Sequence, residues 1–182
     1  MSSRKGSASS ITDLTAKPQT HVYFIRHGIA AERGTYSDDN QRPLVEKGIR
    51  KTEKVAQRLV ELGLYFDTLL TSPLVRAIQT AEILCQANLS ETYQIFEPLA
   101  PDGQLQEWLT WLGQWQSRTP ASLALIGHEP DLSQWAEQLV QGNVDNRWVL
   151  KKAGIIGVTV PKAARAVGYS HLFWLAPPRL LL

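Results

Sequence analysis

Cysteine is almost missing from this 182-residue chain. Cys85 stands alone, so no internal disulfide can form and no cysteine cage for a metal exists. It sits in an apolar helical pattern with Ile78, Ala81 and Leu84 and reads as a small buried hydrophobe, a reactive thiol being the alternative. Long apolar runs are missing too. None approaches the roughly 18 residues of a membrane span, which excludes a membrane partner held by such a span. Met1 to Thr20 is rich in Ser, Lys and Arg but lacks the apolar stretch of a secretory signal, so it reads as a disordered tail and the chain is expected in the cytoplasm. An excess of one charge is also absent. The net charge is +2, and Arg4, Lys5 and Lys17 against Asp13 account for it; the rest of the chain carries 16 basic and 16 acidic side chains. No body-wide basic field exists for nucleic acid, so any positive site must be local. Without an internal repeat or a second composition regime, residues 21–182 are expected to form one domain behind a tail of residues 1–20.

What is present centres on His21-Val22-Tyr23-Phe24-Ile25-Arg26-His27-Gly28. Uninterrupted β-branched and aromatic residues predict a buried strand, which stops at a glycine with Arg26 and His27 at its end. Ligands of open α/β sheets bind beyond the carboxyl ends of strands. Arginine matches phosphate by a bidentate fork, and neutral histidine is a nucleophile toward phosphorus. Gly28 would let the backbone approach an anion closely.

Further along, a polar loop over Ile29 to Arg42 leads into an amphipathic helix over Val45 to Leu62, closed by Gly63. Arg42 either reaches the site from this loop or is a solvated surface arginine. Phe66 to Thr71 predicts a second strand, followed by Ser72-Pro73 and a helix with Ser72 as its N-cap. Arg76 then lies in the first turn, where a cation opposes the helix dipole but suits an anion site. Tyr93 to Phe96 is a third strand. Trp108, Trp111, Leu112 and Trp115 recur at helical spacing and read as packing residues rather than a platform for nucleobases.

Ser122 to Ile126 predicts a central strand that repeats the opening design, ending in Gly127-His128-Glu129-Pro130 before a helix from Asp131. Ile155 to Val160 and Ser170 to Leu175 complete about six strands. His21 and His171 read as structural. The alternation predicts an α/β fold: a mostly parallel sheet with helices on both faces. Arg26, His27, Arg76 and His128 then converge on one sheet edge as a pocket for a phosphoryl dianion. The histidines show no metal-ligand spacing, and the arginines would repel a cation. No cofactor or metal is therefore expected.

Taken in order, Arg26-His27-Gly28, Arg76 after Ser72-Pro73, and His128 within Gly127-His128-Glu129 resemble the histidine phosphatase superfamily, with its three-layer phosphoglycerate-mutase-like fold, over residues 21–176. The short chain, Arg42-Pro43-Leu44 followed by Gly48, and Leu99-Ala100-Pro101-Asp102-Gly103 resemble its SixA-type phosphohistidine phosphatases. This resemblance implies that His27 is the nucleophile and that Arg26, Arg76 and His128 bind phosphate; Gly28 and Arg42 are the further phosphate-binding candidates from the residues themselves. The resemblance also implies a phosphorylated signalling protein, such as a histidine phosphotransfer domain, as substrate; a monomer is expected. The family's usual acidic glutamate is not found in the Pro101-Asp102-Gly103 loop; Asp102, Glu97 and Glu129 are the candidate proton donors. An imidazole leaves a phosphoramidate more readily than an alkoxide leaves an ester, so a missing acid fits an N–P substrate. The alternatives are a general small-molecule phosphomonoesterase of the same fold and an idle phosphate-binding module.

Overall fold

Strand β1, Thr20–Arg26, is hydrogen-bonded on both sides, which explains its continuous apolar sequence. The structure, a computed structural model, describes residues 20–116 and 121–182. The tail expected over residues 1–20 lies outside the described residues except for Thr20, which is the buried first residue of β1. The other strands are β2 (Thr68–Thr71), β3 (Gln94–Ile95), β4 (Ser122–Gly127), β5 (Ile155–Val160) and β6 (His171–Ala176). They form one sheet in the order β3-β2-β4-β1-β5-β6. Pairing is parallel from β3 through β1 and antiparallel on both sides of β5. The sheet is thus mixed, with β5 the one strand that runs against the others.

Four helices cover the sheet: α1 (Glu46–Glu61), α2 (Val75–Gln86), α3 (Leu105–Trp115) and α4 (Asp131–Gln141). Side chains alternate across β1, so Val22 and Phe24 join the core under α3 and α4, with Trp108 and Trp135. Ile25 joins the opposite core under α1 and α2, with Leu59, Ala77 and Ala81. The result is the expected three layers. Trp108 is fully buried, and Trp111 stacks on Trp115 at 5.7 Å, so these indoles serve packing.

The connections explain where a crevice opens. From β1 the chain moves outward through α1 to β2 and α2 to β3, then returns through α3 to β4. Right-handed crossovers place outward and returning helices on opposite faces. Neighbouring strands β1 and β4 therefore send their chains to different faces, a topological switch point. Arg26 and Gly127 are paired in register there, so His27 and His128 follow side by side.

Candidate active site

His27 is buried where β1 ends, and its backbone N–H donates to the Gly127 carbonyl at 3.2 Å. Its ring Nδ1 lies 2.7 Å from the Gly28 carbonyl. A carbonyl only accepts, so Nδ1 carries the proton and Nε2 keeps its lone pair. Burial first, then His128, Arg76 and Arg26, hold the imidazole pKa well below its ordinary value, against the pull of the Gly28 bond. His27 is therefore neutral at pH 7.

His128 follows β4, its ring centroid 5.1 Å from that of His27. Its Nε2 is 2.8 Å from Ser72 Oγ. Burial, then the fields of Arg76 and Arg26, push its pKa down to about 3. The N-cap role expected for Ser72 falls instead to Leu74, because α2 begins at Val75; the Ser72 hydroxyl accepts the Leu74 N–H at 3.3 Å while facing His128. A helix-start signal two residues upstream of its helix thus marks a site residue.

The two expected arginines are both present. Arg26 donates Nη1 to the Leu150 carbonyl at 2.9 Å. Arg76, in the first turn of α2, donates Nη1 to the Asp39 carbonyl at 2.8 Å and pairs Nη2 with the Asp39 carboxylate at 3.1 Å. The Nε of each is buried with no hydrogen-bond partner among the described residues. Buried guanidinium donors call for acceptors, and an oxyanion supplies them. Lys152, at the rim, has its pKa lowered by burial and then by Arg26, Arg42, Arg33 and Arg76, which registers the local positive field.

Two expected phosphate ligands are placed differently. The Gly28 N–H donates to Thr80 Oγ1 at 3.0 Å, and a Cβ at residue 28 would meet Thr52 Oγ1 at 2.5 Å. Packing against α1 therefore requires glycine at residue 28, and its N–H is already engaged by Thr80. Arg42 is not solvated, and its charge is felt at Arg76 and His128. It is buried and donates Nε to Asp39 Oδ1 at 2.9 Å and Nη1 to the Ala31 carbonyl at 2.7 Å. It reaches Arg76 through Asp39, which sequence reasoning passed over as a loop residue. The Arg42 hydrogen bond, above all, lowers the Asp39 pKa, so this carboxylate stays ionised.

Of the three candidate proton donors, only Glu129 touches the cluster electrostatically. Burial raises its pKa, opposed by the Ser133 hydroxyl (2.8 Å from Oε2) and by Arg26; its Oε1 is buried without a partner among the described residues. Glu97 and Asp102 are exposed, and neither forms a hydrogen bond or ion pair with an arginine or histidine of the cluster. Asp102 sits at φ 68° in its turn, where its N–H donates to Asp131. Among the described residues no group of three or more His, Cys, Asp or Glu is arranged to hold a metal ion.

Glu137 was also missed. Its fully buried carboxylate accepts the backbone N–H groups of Asp145, Asn146, Arg147 and Trp148 at 2.6–2.8 Å. Burial pushes its pKa up, but these four bonds outweigh it and the net shift is downward. They fix the segment that delivers the Leu150 carbonyl to Arg26. A lone glutamate in an amphipathic helix carries no local sign of this.

The chain is similar to several known proteins. An uncharacterised protein of Picosynechococcus is 50% identical over 163 residues, covering 88% of this chain and 98% of that protein. The mitochondrial serine/threonine-protein phosphatase Pgam5 of Drosophila melanogaster is 38% identical over 69 residues, only 23% of its length. Among solved structures, the protein histidine phosphatase SixA complexed with tungstate superposes with a TM-score of 0.79 at 25% identity, covering 90% of this chain and all of that one. The fold is also that of a putative α-ribazole-5′-P phosphatase from Escherichia coli, with a TM-score of 0.69 at 16% identity, covering 87% of this chain and 97% of that one. Residues 22–143, from β1 through α4, match the model of the histidine phosphatase superfamily (branch 1). That segment contains Arg26, His27, Arg76 and His128, and the chain belongs to this superfamily of phosphatases.

Proposed function

We propose that this protein is a metal-independent phosphohistidine phosphatase acting on a signalling protein. The supporting observation is the neutral His27, whose Nε2 lone pair is left free by the Nδ1 bond to Gly28, in a cluster with two arginines whose Nε atoms are buried and unpartnered among the described residues. Nε2 attacks phosphorus, a new N–P bond forms, and the N–P bond of the substrate breaks. The departing imidazole leaves already protonated or takes its proton from water. Arg26 and Arg76 neutralise the equatorial oxygens as charge spreads over them. Water then attacks the phosphorylated His27, the N–P bond breaks, and inorganic phosphate departs as Nε2 regains its lone pair.

Two features favour an N–P substrate. Glu97 and Asp102 stand apart from the cluster, and the third candidate donor, Glu129, already accepts from Ser133. An ester oxygen leaving as alkoxide needs a proton that an imidazole does not. The protonatable Glu129 beside Arg26 keeps one further reading in play, a general phosphomonoesterase with Glu129 as its acid.

The test is turnover in EDTA of a phosphohistidine-bearing phosphotransfer domain beside p-nitrophenyl phosphate and sugar phosphates, with wild type and Glu129→Gln. The proposal predicts that phosphohistidine is preferred by a factor of about 100 or more in kcat/KM and that the variant retains this activity. Ester hydrolysis of comparable efficiency that collapses in Glu129→Gln would establish the phosphomonoesterase instead.

A further inference from the structure

A groove of about 750 Å³ opens directly from Arg26. Lys51, Lys151, Lys152 and Arg179 surround it, and Val149, Leu175 and Pro177 lie among them. Val149 and Leu175 are 60% and 41% exposed, so the apolar part is accessible. Among the described residues no acidic side chain lines the groove. It continues past Lys51 onto a second hollow that adds Lys47 and Lys54 and ends at Leu182.

Lys47, Lys51 and Lys54 stand at i, i+4 and i+7 of α1, a single stripe roughly 10 Å long. Among the described residues none of these three, nor Lys151, Lys152 or Arg179, takes part in an ion pair; Arg50 of the same helix pairs with Glu46. Beyond its first twenty residues the chain is electrically neutral, so this is segregated rather than surplus charge. Complementary charge of this kind steers a partner and sets its register.

We propose that this groove docks the acidic surface next to the phosphorylated residue of a protein substrate, whose apolar side chains cover Val149 and Leu175. The inference rests on the reading of the site as a protein phosphatase and names what recognises the substrate. The spread of cations favours an extended acidic surface over a small ligand, which would neutralise only those nearest Arg26. The concave shape of the groove disfavours a flat anionic membrane. An apolar centre with a charged rim is also the usual anatomy of a protein interface.

Two synthetic phosphohistidine peptides test it, one flanked by Asp and Glu and the other by Asn and Gln. Phosphoramidate serves as the small substrate. The variant Lys51→Glu/Lys151→Glu/Arg179→Glu is compared with wild type. The expected result is a kcat/KM for the acidic peptide about tenfold or more above that for the neutral one, carried by KM and diminished by salt. The triple variant should lose this preference and hydrolyse phosphoramidate at the wild-type rate. Equal use of both peptides by wild type, or equal loss on phosphoramidate, would overturn the docking role. Anisotropy of a fluorescent, unphosphorylated acidic peptide gives a readout independent of catalysis. Binding by wild type but not by the variant supports the groove even if only esters are hydrolysed, in which case the phosphohistidine reading alone fails. Failure to bind that peptide, with retention of anionic vesicles or RNA through the same cations, would contradict the proposal.

Discussion

Burial and the surrounding arginines push His27 and His128 the same way, toward neutral imidazoles. The sign of the resulting pH dependence follows. An imidazole whose folded pKa is below its unfolded value binds fewer protons when folded, between the two values. Stability is therefore lost as pH falls below 6.5, and for His128 this continues until about pH 3. Each such group contributes a slope of about 1.4 kcal/mol per pH unit within its window. Thermal unfolding between pH 7 and pH 4 should show a steeper fall for wild type than for His128→Asn; parallel curves would contradict the assigned shifts. Asp39 makes a second prediction at this scale. Its carboxylate occupies Arg76 Nη2, where an oxyanion would compete with it. Asp39→Asn keeps the backbone carbonyl that accepts from Nη1 and removes the competing charge. Inorganic phosphate should inhibit this variant about three- to tenfold more strongly than wild type. Weaker inhibition would show that the carboxylate positions Arg76 rather than screening it.

Among the elements, α4 does more than cover the sheet. Its Glu137 holds the 145–148 backbone and so the Leu150 carbonyl behind Arg26. Glu137→Ala would leave the four backbone N–H groups of 145–148 without the carboxylate that accepts from them. Denaturant unfolding should show a loss of about 3 kcal/mol or more, with a raised KM from a loosened Arg26. A loss under about 1 kcal/mol would mean that water replaces the carboxylate. Glu137 also shows where sequence reading stops. The strands and helices were legible from their periodicity, and His27 and His128 from the glycine-bearing strand ends. The four-bond cap, the Asp39 bridge between Arg42 and Arg76, and the Ser72–His128 contact join residues distant in sequence. Local propensity records only that each is polar. The Gly28 contacts with Thr80 and Thr52 and the burial of Arg42 against Asp39 and Ala31 likewise depend on the folded chain and leave no mark in local sequence.

For the whole molecule, the site follows from topology. The chain leaves β1 and β4 toward opposite faces, and the crevice between them receives both histidines in register. The antiparallel β5 closes the other side of β1 and brings Gly154 to the Arg26 backbone. The groove of about 750 Å³ leads away from Arg26, at the end of β1. The central claim is that His27, held neutral by burial and oriented by Gly28, carries the phosphoryl group. The most direct measurement is rapid acid-free quenching during turnover of a phosphohistidine substrate, followed by peptide mapping of wild type and His27→Ala. The account predicts an acid-labile, alkali-stable phosphate on the wild-type peptide containing His27 and none on the variant, which is also inactive. Phosphate mapped to another residue, or full turnover by His27→Ala, would contradict it.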